Sequence, residues 1–167
     1  MVETLVVYFS YSGHTRRVAE TIADALGADI AEIRPEQPYD GTYDEVVDQG
    51  KREVDGKVCP PIKALECHFE DYKTIVLGTP VWWYTYAPAV GTFLDEYNFT
   101  NMTVYPFDTN GGQPGHTLAD INDALPDAEV MGGLEILFDG DTMKIADGVI
   151  DDWCREIQDR ALENTTL

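Results

Sequence analysis

Thr4-Leu5-Val6-Val7-Tyr8-Phe9-Ser10-Tyr11-Ser12-Gly13-His14-Thr15-Arg16-Arg17-Val18-Ala19-Glu20-Thr21-Ile22-Ala23 reads as a strand, a hydroxyl-rich turn and the start of a helix. The apolar run Leu5 to Phe9 does not alternate and is too short for anything but a strand covered on both faces. The apolar spacing then changes to that of a helix, which should run from Thr15 to Leu26 and close on Gly27. The turn between them would set backbone N–H groups at the positive end of a helix, with Ser10, Ser12 and Thr15 as neutral hydroxyls around one point. One phosphate group suits such a cradle. An ordinary helix start capped by Thr15 would use the same residues. The position of the turn at the carboxyl end of a buried strand favours a ligand, since ligands of open α/β sheets bind there. The turn has neither the Gly-Lys-Ser/Thr ending of an ATPase loop nor the three spaced glycines of a dinucleotide site.

Outward from this stretch, strands are expected at Thr4–Phe9, Asp29–Ile33, Thr74–Thr79, Thr103–Phe107 and Leu134–Phe138. Helical patterns fall between them at Tyr43–Val54, Ala89–Tyr97, Thr117–Leu125 and Ile145–Glu163. Strands alternating with helices give an α/β fold, a doubly wound parallel sheet with helices on both faces. The 167 residues fit one domain, with neither linker nor repeat, and 44% hydrophobic content suffices for its core.

Composition excludes several roles. A formal charge of −20 without a Lys/Arg cluster argues against nucleic acid. No stretch approaches the length of a membrane span, and the N-terminus lacks the basic and apolar regions of a signal peptide, so a cytoplasmic location is expected. Cys59, Cys67 and Cys154 form no Cys-x-x-Cys pair, which disfavours a disulfide framework or a zinc ribbon. Glu66, Cys67 and His68 are sequence neighbours, and neighbours rarely converge on one metal ion.

Two further segments should share a sheet edge with the opening turn. The third strand runs into Gly78-Thr79-Pro80-Val81-Trp82-Trp83-Tyr84-Thr85-Tyr86, a concentration of large aromatics suited to stacking on a flat ligand, although core packing or a protein interface would use the same residues. The fourth runs into Asp108-Thr109-Asn110-Gly111-Gly112-Gln113-Pro114-Gly115-His116, where glycines allow bare amides to approach a ligand. A phosphate cradle, stacking faces and amide donors together suit a molecule with one phosphate and a broad planar ring bearing polar edge atoms. Riboflavin 5′-phosphate, FMN, is such a molecule.

On Ser10-Tyr11-Ser12-Gly13-His14-Thr15, Thr79-Pro80-Val81-Trp82-Trp83 and Thr109-Asn110-Gly111-Gly112, the chain resembles the flavodoxin family, and the resemblance spans nearly its whole length. It looks like a short-chain member of a subgroup with a double-tryptophan loop. The resemblance implies a five-stranded sheet in the order 2-1-3-4-5 and non-covalent FMN. Ser10, Ser12 and Thr15, with the amides of Gly13, His14 and Thr15, would hold the phosphate beside Tyr11. Trp82 or Trp83, in the loop Thr79 to Tyr84, would flank the ring, and amides around Asn110, Gly111 and Gly112 would meet its pyrimidine edge. The chain departs from the family in having His14 where many members have Asn. It also lacks a glycine between Pro80 and Tyr86, where many members flip a glycine peptide toward the reduced flavin. The stretch from Arg34 to Tyr72 is longer than usual, while Glu129 to Phe138 has no room for the insertion that splits the fifth strand of long-chain members.

Two functions fit this reading. One is a low-potential electron carrier, a monomer or weak dimer, that docks transiently on basic partner proteins, a reductase and an acceptor. The low potential follows from electrostatics, because the cradle holds no Lys or Arg and the chain is strongly negative. The other is an FMN-dependent NAD(P)H oxidoreductase of quinone-reductase type, which would normally offer basic groups to nicotinamide phosphates. The scattered cations favour the carrier.

Overall fold

The computed structural model describes residues 3–165. In chain order the elements are β1 (Thr4–Tyr8), α1 (His14–Leu26), β2 (Asp29–Glu32), α2 (Tyr43–Asp55), β3 (Thr74–Trp82), β4 (Thr85–Tyr86), α3 (Pro88–Glu96), β5 (Thr103–Asn110), α4 (Thr117–Ala124), β6 (Glu129–Val130), β7 (Leu134–Asp139), β8 (Thr142–Lys144) and α5 (Val149–Thr165), with a short 3₁₀ turn at Phe69–Asp71 before β3.

The sheet runs β2-β1-β3-β5-β7-β8. Its first five members are parallel, so the order implied by the family resemblance holds, and β8 adds an antiparallel edge. Each parallel connection crosses over through a helix, which places helices on both faces. The central strands divide their side chains by alternation. Leu5, Val7, Ile75, Leu77 and Val104 face α3 and α4, against Val90, Phe93 and Ile121. Val6, Val76, Tyr105, Phe107 and Ile136 face the other way, against Val18 and Ile22 of α1 and Trp153 and Ile157 of α5. Burial on both faces is why β1 and β3 read as continuous apolar runs.

The structure corrects several boundaries. β3 continues to Trp82 and β5 to Asn110, so the Thr79–Trp82 and Thr109–Asn110 segments are paired strand, not loop. β3 then turns back as a hairpin onto β4, with Val81 opposite Tyr86 and Trp82 opposite Thr85. The fifth strand position is filled by two pieces, β6 and β7, both paired with β5 and separated only by Met131-Gly132-Gly133. No long insertion is involved. Residues 142–144 form β8, and α5 starts at Val149, not Ile145, after Gly148 at φ 85°. α1 and α3 each begin one residue earlier than expected, at His14 and Pro88.

Candidate functional site

The carboxyl ends of β1, β3 and β5 are adjacent, so the three segments singled out in the sequence meet on one edge of the sheet. After β1, Ser10 begins the turn, and its hydroxyl oxygen accepts the Gly13 N–H at 3.1 Å. The Ser10 hydroxyl hydrogen therefore remains available. Gly13 is the N-cap residue with φ 99°, a conformation that a Cβ would strain, and no side chain caps the helix. An uncapped helix N-terminus leaves its first amides to an anion. Ser12 and Tyr11 are exposed beside it.

The two arginines of the first helical turn do not reach into this cradle. Arg16 binds Glu20 at 3.4 Å and Glu32 at 3.5 Å, while Arg17 donates to the Asp141 carbonyl at 3.2 Å and lies over the Phe138 ring. The His14 ring is also turned outward, stacked on Phe138 at 4.3 Å with Nε2 3.0 Å from an Asp141 carboxylate oxygen. Hence His14 can offer the cradle its backbone N–H and not its imidazole. Thr15 is buried, and its hydroxyl shares a 2.8 Å hydrogen bond with the buried hydroxyl of Thr109. That bond ties the first segment to the third.

The aromatic segment divides its roles. Thr79 is fully buried, its hydroxyl donating to the Pro80 carbonyl at 2.8 Å and accepting the Ala87 N–H at 3.0 Å, so it closes the base of the hairpin. Trp82 packs edge-on against Phe9, Tyr11 and Tyr39 and lies on Gly50 of α2, where a side chain would crowd it. Trp83 and Tyr84 stay 39% and 50% exposed. Of the two tryptophans, it is Trp83 that retains an open face. Its Nε1–H donates to the Val47 carbonyl at 3.1 Å, and the Lys51 ammonium sits 5.6 Å from its ring centre. Beneath the hairpin is a cavity of about 270 Å³ lined by Tyr11, Tyr43, Val47, Gly50, Trp82 and Trp83 among others.

Trp83 and Tyr84 both have positive φ, 51° and 70°, the signature of a type I′ hairpin turn that normally takes Asn-Gly. For residues with a Cβ this costs roughly 1–2 kcal/mol each. The turn is held from outside. The His116 N–H donates to the Tyr84 carbonyl at 2.9 Å, and the Thr85 hydroxyl donates to Asp120 at 2.6 Å, while Asp120 also meets His116 Nδ1. Gly115 makes the approach possible, because a Cβ there would fall on the Tyr84 carbonyl oxygen.

In the third segment the Asn110 carboxamide oxygen accepts the Gly112 N–H at 2.9 Å, and its nitrogen donates to Asp108 Oδ1 at 2.8 Å. Gly111 and Gly112 are exposed. Asp108 is fully buried and its Oδ2 has no hydrogen-bond partner among the described residues. Burial pushes its carboxyl up to about 7; the Asn110 hydrogen bond opposes the shift and the negative charge of Glu135 adds to it. Asp108, Gly115 and the His116–Asp120 pair were missed as site residues in the sequence. Asp108 did leave a signal: a carboxylate directly after the buried run Val104–Phe107, in a strand whose neighbours bear no cation.

Among the described residues no group of His, Cys, Asp and Glu could hold a metal ion, the three cysteines are free, and no helix is long and apolar enough to cross a membrane. The residues present fit a flavin mononucleotide: uncapped amides and a free hydroxyl hydrogen for a phosphate, exposed aromatic faces, and an exposed glycine backbone at Gly111 and Gly112, just after the strand end that carries the unpartnered Asp108 oxygen.

Comparison with known proteins bears on this site. The family model described as flavodoxin matches residues 3–156. A candidate flavoprotein from Bacteroides eggerthii superposes with a TM-score of 0.80 at 27% identity, covering 95% of this chain and 99% of its own. A flavoprotein from Lactobacillus acidophilus, solved in complex with FMN, gives 0.72 at 26% identity over 81% of this chain and 93% of its own. A flavodoxin from Fusobacterium nucleatum, bound to flavin mononucleotide, gives 0.56 at 16% identity over 96% and 99%, a likeness of fold.

Proposed function

We propose, from the premise that this chain belongs to the flavodoxin family, that it binds FMN on the edge formed by β1, β3 and β5 and serves as a low-potential electron carrier. The observation that carries this reading is the interlocking of the three segments: Thr15 to Thr109, Tyr84 to His116, and Trp82 to Tyr11. Ser10, Ser12, Thr15 and the amides of Gly13 to Thr15 hold the phosphate. Trp83 and Tyr84 lie against the ring, and the backbone of Asn110 to Gly112 meets its polar edge. When bound, FMN supplies one-electron and hydride chemistry. The protein's part is to hold, orient and electrically bias it.

That bias is negative. Arg16 and Arg17 are turned from the cradle onto Glu20, Glu32 and the Asp141 turn, and the chain carries −20 overall, so added electrons on the flavin are disfavoured. The same pairing supports the carrier over an NAD(P)H-using enzyme. Arg34 is engaged by Glu32 and Glu66, and Lys51 by Asp55, so these two cations are already paired and less available to nicotinamide phosphates. A surface this acidic suits transient docking on basic redox partners.

Anaerobic mixing of the FMN-loaded protein with NADPH tests the choice. A carrier keeps its oxidised flavin spectrum until a reductase is added, whereas rapid bleaching by NADPH alone would establish the oxidoreductase. A midpoint potential above that of free FMN would overturn the low-potential assignment.

A further inference from the structure

We infer that Asp108 is the proton store of the flavin site: its carboxyl group, enclosed beneath the Thr109–Gly112 segment, gains a proton from solvent as the bound flavin gains negative charge and releases it on reoxidation. This rests on the reading of the site as an FMN cradle.

The placement is unusual for a carboxylate. Asp108 lies in the middle of the sheet on β5, opposite Thr79 of β3 and Glu135 of β7, on the face shared with Thr79, and none of its surface reaches solvent. One oxygen receives the Asn110 amide and the other receives nothing from the described residues. β3 contributes no ionisable side chain. β7 contributes Glu135 and Asp139, β6 Glu129, and α4 Asp120 and Asp123 with His116 at its N-cap. From the far face α1 brings His14, Arg16, Arg17, Glu20 and Asp24, with both arginines directed elsewhere. The group directly opposite, Glu135, is negative and adds to the electrostatic case for a neutral Asp108. Among the described residues no cation is recorded in contact with the carboxyl to hold the ionised form.

Two hydrogen bonds connect this carboxyl to the segment assigned to the flavin's polar edge. Asp108 Oδ1 accepts from Asn110, and Asn110 accepts from the Gly112 amide. Two negative charges in one poorly solvated region do not coexist readily, so charge arriving on the flavin raises the proton affinity of the carboxylate. The balance is simple. With FMN bound, its two-electron reduction by a partner reductase (dithionite in the test) would consume one solvent proton and leave one negative charge in the site. Asp108 takes a second solvent proton, forming an O–H bond at the unpartnered Oδ2. Reoxidation reverses both. The protein as a whole then takes up two protons for two electrons, although the flavin binds only one.

The test is a potentiometric titration of the FMN-loaded protein with dithionite from pH 5 to 9, for wild type and Asp108→Asn, followed by the flavin spectrum. The mean of the two one-electron midpoints should fall with pH above neutrality about twice as steeply in the wild type as in the variant. The excess is one proton per two electrons, about 30 mV per pH unit. Reduced-minus-oxidised infrared spectra of the wild type should show a protonated-carboxyl band gained on reduction, and the variant should lack it. Parallel slopes, or a band that survives the substitution, overturn the proposal. So does the absence of any such band in the wild type, which needs no variant at all. A wild-type protein that retains no FMN overturns the cradle reading itself and is told apart by its colourless spectrum.

Discussion

Asp108 also makes a prediction about the protein without cofactor. Its carboxyl is raised from 3.8 to about 7 in the folded chain, chiefly by burial, so the folded state holds this proton more tightly than the unfolded state does. Between those two values folding takes up a proton. The stabilisation from the neutral form is complete below the unfolded value and is lost as pH rises through the folded one. Each pH unit in that window is worth about 1.4 kcal/mol, so between pH 5 and pH 8 the loss should be roughly 2 to 3 kcal/mol. Asp108→Asn removes this titration while keeping an acceptor for the Asn110 amide. The amide N–H it introduces at the unpartnered position has a pH-independent cost of about 1–3 kcal/mol, so the slope and not the intercept carries the information. Urea unfolding of apoprotein at pH 5, 6, 7 and 8 measures it. Wild-type stability relative to the variant should decline across the series and level off above pH 7. The repulsion of a chain at −20 also grows with pH, but it acts on both proteins and cancels in the difference. Parallel pH profiles would refute the assignment of a buried, neutralised carboxyl, whatever the flavin does.

Thr15→Val leaves the buried Thr109 hydroxyl without its 2.8 Å partner and takes a hydroxyl from the cradle. Stability should fall by about 1–3 kcal/mol in denaturant, and FMN should bind at least about tenfold more weakly by fluorescence quenching. Trp83→Ala removes the open-faced indole and should weaken FMN by about 0.5–1.5 kcal/mol, with less effect on the apoprotein than Trp82→Ala, whose ring is packed on Phe9 and Tyr39. Unchanged affinity in both Thr15→Val and Trp83→Ala would remove the basis of the site. Tyr84→Gly relieves a left-handed residue that is half exposed and should raise the apoprotein's stability by about 0.5–1 kcal/mol in thermal unfolding while lowering FMN affinity, a separation that a purely structural tyrosine would not give.

The parts legible in the sequence are those where local pattern and tertiary environment agree. Leu5–Phe9 and Ile75–Leu77 are apolar without alternation because helices cover both sides, and the sequence needs nothing else to show it. The parts that were not legible depend on distant partners. Pro80 suggests the end of a strand, yet β3 continues through it because Thr109 pairs opposite and the hairpin folds back onto β3. β4 and β6 are two residues each, too short for any periodicity. The helical pattern expected from Ile145 starts too early, because β8 and Gly148 occupy the chain before Val149. The double tryptophan announces an aromatic loop without saying which indole faces inward. That is settled by Gly50, on a helix the sequence could place only as a polar segment of a long connection.

The absence of glycine from the Trp83–Tyr84 turn acquires a physical meaning from these contacts. A glycine there would hold the left-handed turn at no steric cost and could exchange it for another conformation as easily. Trp and Tyr hold it only because the surroundings enforce it, through Val47 and Lys51 on one side and His116 and Asp120 on the other. Reversing the peptide would break the Tyr84–His116 bond and move the carbonyl now seated against Gly115. The hairpin is therefore clamped where a glycine turn would be free to move. With the hairpin so held, the proposed response to a change of charge on a bound flavin falls to another part of the edge, where Asp108 is tied through Asn110 to the Gly112 amide.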